Sequence, residues 1–195
     1  MSLDVAEIAR ALGAACDAVS ARWFLFGAQA AILRGVVRRT EDVDVTVDLA
    51  DGTTEGLVAA LEREGLELRV ADAAEFIAAT RVLPLRHRAS GVPVDVVLAS
   101  STLEDGFFER AQTVLVDGVP VPVPALEDLV VMKTLAGRPL DDEDVVALLV
   151  ANPAHDADAI RGALDELGRA LGTSDLVTRF EATLARARRA IRRRR

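Results

Sequence analysis

Two aspartates two residues apart, Asp42 and Asp44, stand at the head of the alternating run Val43–Asp48 (VDVTVD). Alternate side chains of a strand share a face, so Asp42, Asp44 and Asp48 look one way while Val43, Val45 and Val47 look into a core. Carboxylates on one rigid strand face can converge on one or two hard divalent cations, Mg2+ or Mn2+, which take oxygen ligands. Upstream, an apolar run over residues 23–26 stops at Gly27, and small residues with helical spacing follow at Ala28, Ala31, Ile32 and Gly35. A glycine where a strand turns into a helix permits a sharp bend and leaves the first helical N–H groups for an anion such as a phosphate. A cation site facing an anion site points to Mg2+ and a nucleoside triphosphate (NTP).

Two further residues belong to the same chemistry. Asp95 is the one polar residue inside VPVDVVLAS, and a carboxylate in an apolar strand must reach solvent, a cation or a donor. If its strand lies beside that of Asp44, Asp95 is a third acid of the metal site and the base that deprotonates an attacking hydroxyl. The alternative is an acid on the exposed face of an antiparallel strand. Lys133 is the one lysine among 23 basic residues. An arginine-rich chain that keeps a single ammonium suggests a place where a planar guanidinium does not serve. Either Lys133 meets phosphate or catalytic acids, or it pairs with Asp141 or Asp144 to hold two helices together.

The elements that must position these residues follow from periodicity. Residues 3–19 and 53–64 read as amphipathic helices, 66–70 as a strand completing a β-α-β crossover after the Asp44 strand, and 81–88 as another strand. His87, among arginines at that strand's end, is expected in solvent. Asp117-Gly118 is a tight-turn dipeptide between strands 113–116 and 119–123. Pro120, Pro122 and Pro124 share one parity, so the second of these strands should be a sheet edge. From residue 124 onward every segment has helical spacing, with acids Asp141 to Asp144 opening one helix as its dipole favours. The expected organisation is therefore an α/β core with a small mixed sheet over residues 1–123, and a helical region over 124–195.

Composition sets the frame. The chain has 195 residues, 51% of them hydrophobic, enough for a sizeable core. A lone cysteine, Cys16, excludes an intrachain disulfide, and the N-terminal segment lacks the basic and apolar blocks of a signal peptide, so a cytoplasmic protein with no membrane partner is expected. The formal charge of −8 hides a basic tail: Arg186 to Arg195 hold seven arginines and no acid. An acidic body with a basic terminus suggests a nucleic-acid partner, RNA or tRNA.

Read together, Gly27-Ala28 followed by the R-x-T-x-D-V-D run Arg38-Arg39-Thr40-Glu41-Asp42-Val43-Asp44 resembles the signature of the DNA polymerase β-type nucleotidyltransferase superfamily. Residues 129–145, LVVMKTLAGRPLDDEDV, are similar to the lysine-bearing helix, arginine and D-x-x-D of AbiEii-type nucleotidyltransferases, which include abortive-infection and toxin–antitoxin toxins. The resemblance covers roughly residues 22–150. It implies Gly27 and Ala28 at the phosphate turn, Asp42 and Asp44 as metal ligands, and Asp95 as the third carboxylate. It also implies that Lys133 reaches the triphosphate or the catalytic acids, supported by Asp141 and Asp144. Ala28 departs from the Ser, Thr or Gly usual there, which loses a hydroxyl but keeps the backbone N–H groups. The implied activity is transfer of a nucleoside monophosphate (NMP) from an NTP to RNA, tRNA or protein, with an antitoxin protein as a further partner. Two other readings are an antibiotic-type small-molecule nucleotidyltransferase and a catalytically inactive nucleotide- or partner-binding module.

Overall fold

A computed structural model describes residues 3–70, 72–100 and 102–194, so Arg195 of the basic tail lies outside the described residues. The chain divides into two compact units, Met1–Gln29 with Arg39–Pro124, and Ala30–Arg38 with Ala125–Arg195.

The first unit runs α1 (Leu3–Ala18), β1 (Arg22–Leu25), α2 (Gly27–Leu33, whose second half belongs to the other unit), β2 (Val43–Asp48), α3 (Thr54–Arg63) and β3 (Leu66–Leu68). It continues with α4 (Ala73–Thr80), β4 (Val82–His87), β5 (Pro93–Leu98), α5 (Thr102–Glu109), β6 (Gln112–Val116) and β7 (Val119–Val123). Five strands form a mixed sheet in the order β1-β2-β5-β4-β3, with β2 and β5 parallel and the other pairs antiparallel. A parallel pair needs a long connection, which α3, β3, α4 and β4 supply. One sheet face is the core: Leu25, Val43, Val45, Val47, Leu83, Leu85, Val94 and Val96 are all buried. Helices α1 and α3 pack side by side on that unit, burying Ile8, Leu12, Leu57 and Leu61. Cys16 is fully buried in α1, and burial pushes its thiol up to about 12.

Two expectations need correction. The crossover through α3 does not place β3 next to β2; β5 and β4 lie between them, because the parallel slot beside β2 is taken by β5. His87 is buried rather than solvated, since register sets it opposite Leu66 on the apolar face, and its Nδ1 meets Ser90 Oγ at 2.8 Å. The hairpin forms where the turn dipeptide sits, with Asp117 and Gly118 at φ 48° and 81°. Within the described residues β7 pairs with β6 alone, which gives its prolines an edge.

The second unit holds α6 (Leu126–Ala136), α7 (Pro139–Ala151), α8 (Ala157–Leu171) and α9 (Leu176–Arg194) together with the segment Ala30–Arg38. Pro139 opens α7 at a position that has no helical N–H to lose. Gly137 closes α6 at φ 61°, and the Arg179 guanidinium lies where a Cβ would stand. Leu148, Leu149, Ile160, Leu164, Phe180 and Leu184 form the helical core. The Ala30–Arg38 segment is tied to α7, since Asn152 Nδ2 donates to Arg34 O at 2.8 Å and Arg38 Nη1 pairs with Asp144 Oδ2 at 2.6 Å. Among the described residues no helix is long and apolar enough to cross a membrane.

Candidate functional site

The chemistry of the first unit lies in one row across the sheet. Arg69 N, just past β3, donates to Pro84 O at 2.9 Å; Pro84 stands opposite Asp95; and Asp95 stands opposite Asp44. Beyond Asp44 the row reaches the phosphate-turn candidate, since Phe26 N donates to Asp44 O at 2.9 Å and Gly27 follows. Directly opposed residues share a face, so Asp44 and Asp95 project together, away from the valines that flank each of them. Both are half-buried. Parallel pairing of β2 with β5 is thus the feature that makes Asp95 a neighbour of Asp44.

Gly27 takes φ 63°, and a methyl at that position would overlap the Asp44 carboxylate. The glycine therefore serves twice, in allowing the left-handed turn and in leaving room for the acid. Ala28 is half-buried at the second position of α2, whose seven residues make a short helix. Asp42 lies one residue before β2 and accepts a short hydrogen bond from Thr40 Oγ1. Asp95 Oδ1 is held by Arg69 Nη2 at 2.5 Å. Asp48, on the same face, is bound by Arg22 Nε at 2.9 Å. Burial alone would raise its pKa, but the Arg22 hydrogen bond, the Ala50 N–H and the Arg22 charge hold it below the usual carboxylate value.

Hard oxygen donors, half-exposed on one face beside a glycine cradle, suit a divalent cation such as Mg2+. Among the described residues, however, no three His, Cys, Asp or Glu side chains gather closely enough to hold one. Asp95 is engaged by Arg69 and Asp42 by Thr40, in each case through one carboxylate oxygen.

The second unit carries a buried ion cluster. Lys133 Nζ lies 2.7 Å from Asp144 Oδ2 and 3.3 Å from Asp141 Oδ1, and all three residues are buried. Arg138 Nε adds a contact to Asp141 Oδ2 at 2.6 Å, and Arg38 adds the contact to Asp144 already described. Burial pushes the Asp141 carboxyl up, but the Arg138 hydrogen bond and the charges of Lys133 and Arg138 outweigh it and hold the pKa below the ordinary value. Lys133 is thus in contact with both acids of the D-x-x-D run. Arg38 and Thr40 stand in the R-x-T-x-D-V-D run and Arg138 in residues 129–145, but the sequence does not reveal their partners, and Arg69 lies outside both motifs. Arg69 has a local signal of a different kind, because its parity after Leu66 and Leu68 sets it on the polar face.

A family model described as nucleotidyltransferases of unknown function (DUF6036) matches residues 3–174. The chain belongs to this nucleotidyltransferase family. Among solved structures, the solution structure of antibiotic-resistance factor ANT(2'')-Ia aligns with TM-score 0.59 at 14% identity, covering 88% of this chain and 95% of that one. The lincosamide antibiotic adenylyltransferase LnuA, lincomycin-bound, aligns at TM-score 0.45 and 16% identity, covering 68% of this chain and 89% of that one. The Thermotoga maritima CCA-adding enzyme complexed with tRNA aligns at TM-score 0.42 and 11% identity, covering 96% of this chain and 52% of that one. The last two scores are too low to define a shared fold by themselves. No curated protein sequence matches. The expected nucleotidyltransferase fold, a mixed α/β sheet followed by C-terminal helices, is what the chain has.

Proposed function

We propose that this DUF6036 protein transfers an NMP unit from an NTP to a hydroxyl or phosphate acceptor, with Asp42, Asp44 and Asp95 as ligands of Mg2+ or Mn2+. The observation that carries the reading is the parallel register that sets Asp44 opposite Asp95 on a face bordered by the Gly27 turn. A divalent cation bound there supplies charge neutralisation for the α-phosphate and the departing pyrophosphate. Within that scheme Asp95 accepts the acceptor's proton, and Gly27 and Ala28 offer backbone N–H groups to phosphate. Lys133, with Asp141 and Asp144, is assigned to the same function by resemblance in residues 129–145. That resemblance also motivates the finer reading of an AbiEii-type, toxin-like enzyme with an antitoxin partner.

For the acceptor, the observation that favours RNA or tRNA is helix α9, which keeps Arg188, Arg189, Arg192 and Arg193 exposed on an otherwise acidic chain. A second reading, a small-molecule enzyme, draws on the fold shared with the antibiotic-resistance factor ANT(2'')-Ia. A third, an inactive nucleotide-binding module, draws on Ala28. Titration calorimetry of NTP in the presence of Mg2+ tests the core of the proposal. Wild type should bind with strong dependence on the cation and Asp44→Asn about tenfold or more weakly, whereas equal, cation-independent binding by both would remove the metal-site reading.

A further inference from the structure

The geometry points to Arg69 as a resident counterion of Asp95, a positioning residue that neutralises the acid row without a cation and that a divalent cation must displace. The inference rests on the proposed metal site and assigns a role to a residue outside its ligand set. Asp44 and Asp95 are directly opposed carboxylates on neighbouring strands, a placement in which like charges destabilise a sheet. Something has to offset that repulsion in the cation-free protein. Arg69 belongs to the same transverse row, two strands from Asp95, with Pro84 between them. Two strand spacings amount to about 10 Å between Cα atoms, a gap bridged by two side chains reaching toward each other.

Pro84 suits that crossing: its short ring is buried between the two, and its carbonyl receives the Arg69 N–H that fixes where the arginine starts. The guanidinium ends 2.5 Å from Asp95 Oδ1, with the Arg69 side chain 35% exposed and that of Asp95 29% exposed. A pair at that depth is stable enough to be populated and weak enough to exchange. Arg69 is thus one of two alternative partners of Asp95.

The test is Mn2+ affinity by calorimetry, with melting curves, for wild type, Arg69→Gln, Arg69→Lys and Asp44→Asn in the full chain. With a positive charge removed from beside the site, Arg69→Gln should bind Mn2+ about three- to tenfold more tightly, after discounting for solvent screening. Its melting temperature should rise more on adding Mn2+ than that of wild type. Arg69→Lys, which keeps the charge, should stay near wild type, an outcome that a purely packing role for Arg69 does not require. Equal or weaker Mn2+ binding by folded Arg69→Gln, with Asp44→Asn still impaired, would overturn the counterion role and leave the metal site standing. Mn2+ binding indifferent to Asp44→Asn would overturn both.

Discussion

At the scale of single residues, Gly27 and Lys133 show how one side chain decides between structure and chemistry. Gly27→Ala meets a double cost, a left-handed φ of 63° and the Asp44 carboxylate in the space a methyl needs. The backbone part is worth about 1–2 kcal/mol. Asp44 must also shift, so NTP affinity in the presence of Mg2+ should fall by more than the stability loss explains. Chemical denaturation and calorimetry on the same sample separate the two effects. Lys133 lies between two buried acids, 2.7 Å and 3.3 Å away, in a setting where a planar guanidinium cannot replace a compact ammonium without moving them. Lys133→Arg therefore distinguishes its two readings. A steep loss of product formation at nearly unchanged melting temperature supports the assignment to phosphate or catalytic acids; lower stability with unchanged turnover per folded molecule leaves it a structural pair.

At the scale of elements, much of the fold could be read from the residues alone because its signals are local. The β2 alternation, the Asp117-Gly118 turn and the Gly137 helix end each follow from the conformational preferences of a few neighbouring residues. What could not be read was lateral order. That β5 rather than β3 lies beside β2 is a long-range choice, as are the burial of His87 opposite Leu66 and the reach of Arg69 to Asp95. The same limit applies to the cluster joining α6 and α7, where Asp141 and Asp144 fit a helix's first turn by sequence yet pair with Lys133, Arg138 and Arg38. Removing one partner from such a buried group costs about 3–5 kcal/mol, because the remaining charges stay uncompensated. The Asp141 carboxyl, held below its ordinary pKa, stabilises the folded state above the unfolded pKa, and that contribution is lost as pH falls through the folded value. Below about pH 4 the wild-type stability should accordingly decline more steeply than that of Asp141→Asn. Denaturant midpoints measured from pH 6 downward check this, and parallel curves would remove the cluster from the account of acid stability.

At the scale of the whole molecule, the balance of charge argues about partners rather than fold. The chain is acidic at −8, yet its C-terminal helix is basic, and that helix is packed rather than loose along most of its length. Phe180, Leu184 and Ala187 are buried on one side of α9. Arg186 is drawn to Glu143 at 2.5 Å, so one arginine of the tail already belongs to the protein's own fold. Arg188, Arg189, Arg192 and Arg193 are exposed, and their i, i+4 spacing sets them along one side of the last turns. A helix that holds four guanidinium groups in fixed register presents them to a phosphate backbone at lower entropic cost than a disordered tail, while the acidic remainder repels the same polymer elsewhere. Replacing these four arginines by alanine in the full chain should weaken tRNA binding and flatten its dependence on salt. With about 0.7 counterions released per phosphate contact on a single strand, the log–log slope should lose up to about 3. Arg186→Ala alone should instead lower stability slightly through the lost Glu143 pair and leave the salt slope almost as it was. If the fourfold variant binds tRNA with unchanged affinity and slope, α9 is not the nucleic-acid contact, and the small-molecule acceptor becomes the better reading of the site on the sheet.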